Sequence, residues 1–160
     1  MSDRSEALAA QFEQVNSRMI AAVQQCSTLD WRKLCAGEER TVGVIAHHAA
    51  TSHLGVMGFI QLIAAGEPLP ELSEDVLNQG NALHAIEHAD CTPQEVLGLL
   101  HSNGITVATY VRGLNDEQLD HLSTLFGEQR SVQEVTEYLL IGHVHEHLRS
   151  IQEATGSTQP

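Results

Sequence analysis

Aromatic and basic residues are both scarce in this 160-residue chain. Phe, Trp and Tyr make up 4% of it, and 8 Lys plus Arg stand against 21 Asp plus Glu. The formal charge of −13 repels phosphate backbones and anionic headgroups, so we expect neither nucleic acid nor membrane surfaces as partners. Proline is rare, and the β-branched residues never fall into an alternating run. The abundance of Ala, Leu, Gln and Glu therefore predicts helices and no strands. Cys26, Cys35 and Cys91 are odd in number and form no C-x-x-C pair, which excludes a disulfide framework. The polar start, Met1-Ser-Asp-Arg-Ser-Glu6, has no secretory apolar region. Both features lead us to expect a cytoplasmic protein.

Charge is also missing between Thr41 and Ala65, where no Asp, Glu, Lys or Arg occurs. That length would span a bilayer. It nevertheless holds His47, His48, Thr51, Ser52, His53 and Gln61, which are costly in lipid. A helix apolar nearly all round is also what the middle of a bundle needs, and that is the expectation here.

The remaining pattern is helical. A first helix is expected from about Ser5 to Ser27, with Leu8, Phe12, Val15, Met19, Ala22 and Cys26 as its apolar seam. The charge-free segment is the second, closed by Gly66 and Pro68-Leu-Pro70. A long connection comes next, in which Ser73 caps a shorter helix through Ala89 carrying Asn78, Asn81, His84 and His88. Thr92-Pro-Gln-Glu95 starts the third helix, with Thr92 as cap, Pro93 at the first helical position and Glu95 completing a capping box. Its seam is Val96, Leu99, Leu100, Val107 and Val111. Ser131-Val-Gln-Glu134 is a second capping box and opens the last helix, to about Ala154. The chain thus reads as a single all-α domain, residues 1–160 with a core from about 5 to 154. It is a four-helix bundle with a long crossover between the second and third helices.

What the chain has in abundance is histidine, 10 in all. His143 and His147 in His143-Val-His-Glu-His147 lie about 40° apart on a helix. They share a face with Val132, Val135, Leu139, Leu140, Val144 and Ile151, while His145 points away. Two imidazoles one turn apart can reach a single metal ion, which satisfies polar groups that are costly to bury. His84 and His88 have the same spacing. Val144 stands where a zincin protease needs its glutamate base, which argues against a peptidase. A third ligand is needed, and periodicity does not choose among His47, His48 and His53.

Two segments carry a family likeness: Thr41-Val-Gly-Val-Ile45-Ala-His-His48 and His143-Val-His-Glu-His147-Leu-Arg-Ser-Ile151. In this order and separation they resemble the DinB-like, YfiT-like superfamily of metal-binding four-helix bundles. The resemblance implies metal ligation by His48, His143 and His147, a site between the second and fourth helices, and a homodimer. The doubled His47-His48 departs from the single His of many members. Three imidazoles suit zinc, with nickel as a substitute, and leave a coordination position open. The implied functions are a metal-dependent hydrolase of a small molecule or a transferase using a low-molecular-weight thiol. The alternative is a non-catalytic stress-response or binding module on the same metal site. Histidines that are purely structural are a further reading. Glu38, Glu87 and Glu146 are candidate bases by residue type alone.

Overall fold

The computed structural model describes residues 2–157. Helix α1, Asp3–Gln25, is capped by Ser2, whose hydroxyl accepts the Ser5 N–H while Ser5 answers reciprocally. It starts two residues earlier than expected. Its seam runs through Leu8, Phe12, Val15, Met19 and then Val23, leaving Cys26 only half-buried beside the core. A one-turn helix α2, Thr28–Trp31, leads by a short loop into α3, Val42–Ala64, capped by Thr41. In α3 every residue from Val42 to His47 is buried, as a central helix requires. Helix α4, Glu74–Glu87, is capped by Ser73; α5, Pro93–Arg112, by Thr92. A short α6, Asp116–Asp120, comes after it.

One element runs against expectation. Leu122–Leu125 (β1) and Glu128–Ser131 (β2) pair antiparallel as a hairpin in a chain whose composition predicts no strands. Its two-residue turn has φ +52° at Phe126 and +82° at Gly127. Positive φ at both positions matches the twist of paired strands. Four-residue strands are too short to show an alternating pattern in the sequence.

The last helix is continuous but not uniform. It runs from α7, Val132–Val135, through a π-helical stretch, Thr136–Gly142, into α8, His143–Thr155. Ser131 and Glu134 form the expected capping box. A π turn accommodates one extra residue, which rotates the C-terminal half of the helix by about 100° relative to an uninterrupted α-helix. This aligns Val144, Leu148 and Ile151 with Val132 in the core, and moves His143 and His147 from the middle of the apolar face to its edge. Val144 and Ile151 are accordingly fully buried, and His143 only partly.

Helix α1 packs against α5 and α8, and α3 packs against the same two, so α1 and α3 occupy opposite corners of a four-helix bundle. Phe12, Met19, Ile45, Ile60, Leu100, Leu140 and Ile151 fill its interior. No helix among the described residues is long and apolar enough to cross a membrane. Trp31 fastens one end: its indole N–H donates to the Cys91 carbonyl at 2.9 Å. Its ring lies against Gly43, where a Cβ would come within 2.6 Å.

The core also holds a polar knot. Asn16 Nδ2 donates to the Leu100 carbonyl at 3.0 Å, and Asn16 Oδ1 faces His53 Nε2 at 2.8 Å. A carbonyl oxygen only accepts, so His53 Nε2 carries the proton. Gly104 makes room for Asn16: a Cβ there would lie 2.4 Å from Nδ2. Because Asn16 is held by both bonds, Gly104→Ala is expected to destabilise the protein by about 1–3 kcal/mol. Gly98→Ala, on the same helix with open space around it, is expected to stabilise by up to about 1 kcal/mol. Urea unfolding of the two variants measures both; equal effects would refute the role given to Gly104.

Candidate metal centre

Helices α3 and α8 bring His48, His143 and His147 together, one ligand-capable nitrogen from each lying within 4.8 Å of the others. His48 Nε2 is 3.3 Å from His143 Nε2, and His143 Nε2 is 3.0 Å from His147 Nε2. A ring nitrogen carries one proton or one lone pair, so His143 Nε2 cannot make full hydrogen bonds to both neighbours. A cation between them accepts all three lone pairs at once. Tetrahedral zinc, with bonds of about 2.0–2.1 Å, needs its nitrogens about 3.4 Å apart. The two spacings to His143 are close to that edge and the third lies within 4.8 Å, so these residues fit such an ion.

Burial keeps these rings neutral. With the positive charges that His147 and His143 would bring, it pushes His48 down to about 2. Burial first, then His147, brings His143 to about 3. His147 is lowered as well, by burial against the opposing pull of Glu38. A neutral imidazole offers the free lone pair that ligation needs.

Glu38 is the residue that sequence reasoning left among undifferentiated acids. Its Oε1 lies 3.6 Å from His147 Nδ1, a buried atom with no hydrogen-bond partner. Arg40 donates to Glu38 Oε2 at 2.8 Å and Ser150 Oγ donates to Oε1 at 2.8 Å. The loop is shaped for this by positive φ at Gly37 and Glu39 and by the Cys35 N–H bond to the Arg40 carbonyl. A carboxylate on the outer nitrogen of a histidine fixes the ring's tautomer and orientation. The signal in the sequence was the run Glu38-Glu39-Arg40 just before the first His-bearing helix.

The other candidates separate clearly. His145, Glu87 and Glu146 are exposed. His53 belongs to the Asn16 knot. His47 joins His84 and His88 in a second cluster. Glu95 does not complete the expected capping box on Thr92; its Oε1 instead lies 3.4 Å from His47 Nε2. Burial pushes the Cys35 and Cys91 thiols up to about 11, which rules out ready thiolates. A groove of about 560 Å³ lined by Trp31, Arg32, Thr41 and Cys91 contains none of the histidines.

No protein-family model matches the chain, and no curated protein does. Solved structures do. YfiT from Bacillus subtilis, described as a probable metal-dependent hydrolase with an unusual four-helix bundle topology, matches with a TM-score of 0.80 at 19% identity, over 98% of this chain and 89% of its own. The chain has the YfiT fold. An uncharacterised protein from Clostridium difficile 630 matches with a TM-score of 0.74 at 14% identity, over 99% of each chain. The YfiT-like architecture read from two short motifs is therefore the architecture observed.

His53 generates a prediction for the metal-free protein. Burial lowers it to about 4 from an ordinary value of 6.5. Between those values the unfolded chain binds the proton and the folded one does not. Stability is therefore greatest above pH 6.5 and falls as pH drops toward 4, by about 3 kcal/mol for this group. Chemical unfolding at pH 7, 5.5 and 4 should show a steeper loss in the parent than in His53→Gln. Parallel curves would contradict it.

Proposed function

We propose that this protein is a zinc-dependent hydrolase acting on a small molecule, with His48, His143 and His147 as its metal ligands. The observation that carries the reading is the approach of two imidazole nitrogens to the single nitrogen of His143. Three protein ligands leave a position open, as in catalytic sites. Bound there, a divalent ion supplies Lewis-acid chemistry that polarises a carbonyl and activates water near neutral pH. The chain's own residues supply the rest. The three rings present their Nε2 atoms toward one point. Glu38, locked by Arg40 and Ser150, keeps Oε1 3.6 Å from His147 Nδ1, where its charge favours the tautomer with the proton on Nδ1 and the lone pair on Nε2. Arg40, itself largely buried, holds the Glu38 carboxylate in place through their ion pair. The description of YfiT as a metal-dependent hydrolase supports the same reaction class.

A second reading has its own support. Glu38 is engaged by Arg40 and Ser150, so this carboxylate is not free to take a proton from water. An open position without a free base suits a low-molecular-weight thiol co-substrate, as in a thiol-dependent transferase. A visible charge-transfer band on adding such a thiol to the cobalt-substituted protein would favour it.

Metal analysis of protein made without a histidine tag is the first test. His48→Ala and His143→Ala are each expected to release the ion from this triad, and Glu38→Gln to weaken its binding about 10–100-fold. Ester and amide substrates should be turned over with zinc, lose turnover with chelator, and regain it when zinc returns. Unchanged metal content in His48→Ala would overturn the site. Zinc-loaded protein inert toward both ester and thiol-acceptor panels would leave the non-catalytic binding module.

A further inference from the structure

The sequence doubles a histidine, His47-His48, where one would serve a single triad. Adjacent residues on a helix point about 100° apart, so the two rings cannot share one ligand position. His47 is 2% exposed. Its Nδ1 lies 2.8 Å from His84 Nε2, its ring stacks on His88 at 3.9 Å, and its Nε2 lies 3.4 Å from Glu95 Oε1. Ligand-capable nitrogens of His47, His84 and His88 all fall within 4.8 Å of one another.

A plain hydrogen bond explains only part of this. It joins His47 Nδ1 to His84 Nε2 but gives His88, stacked on the same ring, no role. The arrangement around His47 instead parallels that around His147. In each a carboxylate lies near the outer nitrogen, at 3.4 Å for His47 and 3.6 Å for His147, and the inner nitrogen faces another imidazole. Such pairing orients metal-bound histidines.

Helix α4 supplies the second line of argument. It has no buried residue, and Val76, Leu83 and Ile86 are 54%, 56% and 76% exposed. Burial of apolar side chains therefore does not hold it in place. Its inward stripe is Asn81, His84, Ala85 and His88, all half-buried at the spacing of one helix face. The side chains that meet α3 there are the histidines.

We propose that His47, His84 and His88 bind a second divalent transition-metal ion, of the zinc, cobalt or nickel class, which fastens α4 to the bundle beside the first triad. Three imidazoles with an outer carboxylate match that class of ion. The two triads adjoin, since the rings of His48 and His84 are 5.4 Å apart. The histidine that departs from the single-His pattern then has a use of its own.

The experiment is metal stoichiometry of untagged, chelator-stripped protein dialysed against cobalt or zinc. Two equivalents are expected for the parent chain, one for the His84→Ala/His88→Ala double variant, and one for His143→Ala/His147→Ala. Because α4 buries no side chain, His84→Ala/His88→Ala leaves the core intact, and circular dichroism checks this. Hydrogen exchange adds a readout independent of counting. Metal should slow the amides of Glu74–Glu87 in the parent and in His143→Ala/His147→Ala, but not in His84→Ala/His88→Ala. One equivalent in the parent, unaffected by His84→Ala/His88→Ala, overturns this proposal and leaves the first triad standing. One equivalent abolished by either double variant overturns it too, in favour of a single shared ion. No bound metal at all overturns both sites.

Discussion

A buried imidazole nitrogen can offer one proton or one lone pair, and that limit governs the interior of this bundle. At Asn16 and His53 the limit is met: one proton faces one carbonyl oxygen. At His143 it is exceeded, because a single nitrogen faces two others. Uncompensated burial of such groups costs free energy, so a fold that keeps both arrangements uses them differently. The first is a structural hydrogen bond; the second is a convergence of nitrogens that a cation would resolve.

The local parts of this fold were legible because they depend on neighbours in sequence. Thr41, Ser73, Thr92 and Ser131 each cap a helix at the position where the sequence places a cap or a helix start. His143 and His147 were legible for the same reason, being one turn apart. What failed was whatever depends on distant contacts or unusual backbone. The hairpin rests on positive φ at Phe126, a residue type that does not announce it. Glu95 completes a capping-box pattern in the sequence, but its carboxylate reaches another helix. The choice among His47, His48 and His53 was beyond periodicity because α3 is enclosed on all sides. Only the positions of α1, α4 and α8 assign the three rings to three different neighbourhoods. The family likeness supplied His48 before the geometry did.

Electrostatics link the site to the whole surface. An acidic exterior draws cations toward the protein, whereas Arg40 and the buried neutral rings disfavour any further proton inside. Divalent metal competes with protons for the same lone pairs, and burial has already weakened the proton's claim. A metal ion at the proposed site would therefore meet weak competition from protons for these nitrogens.

The π turn at Thr136–Gly142 has a kinetic meaning. A regular helix would have centred His143 and His147 among the core residues, where exchange of anything bound to them would wait on opening of the bundle. One additional residue sets them at the margin instead, while Val144, Leu148 and Ile151 keep the packing. At the proposed metal site, an ion would then reach the partly exposed His143 without the core packing of Val144, Leu148 and Ile151 having to open.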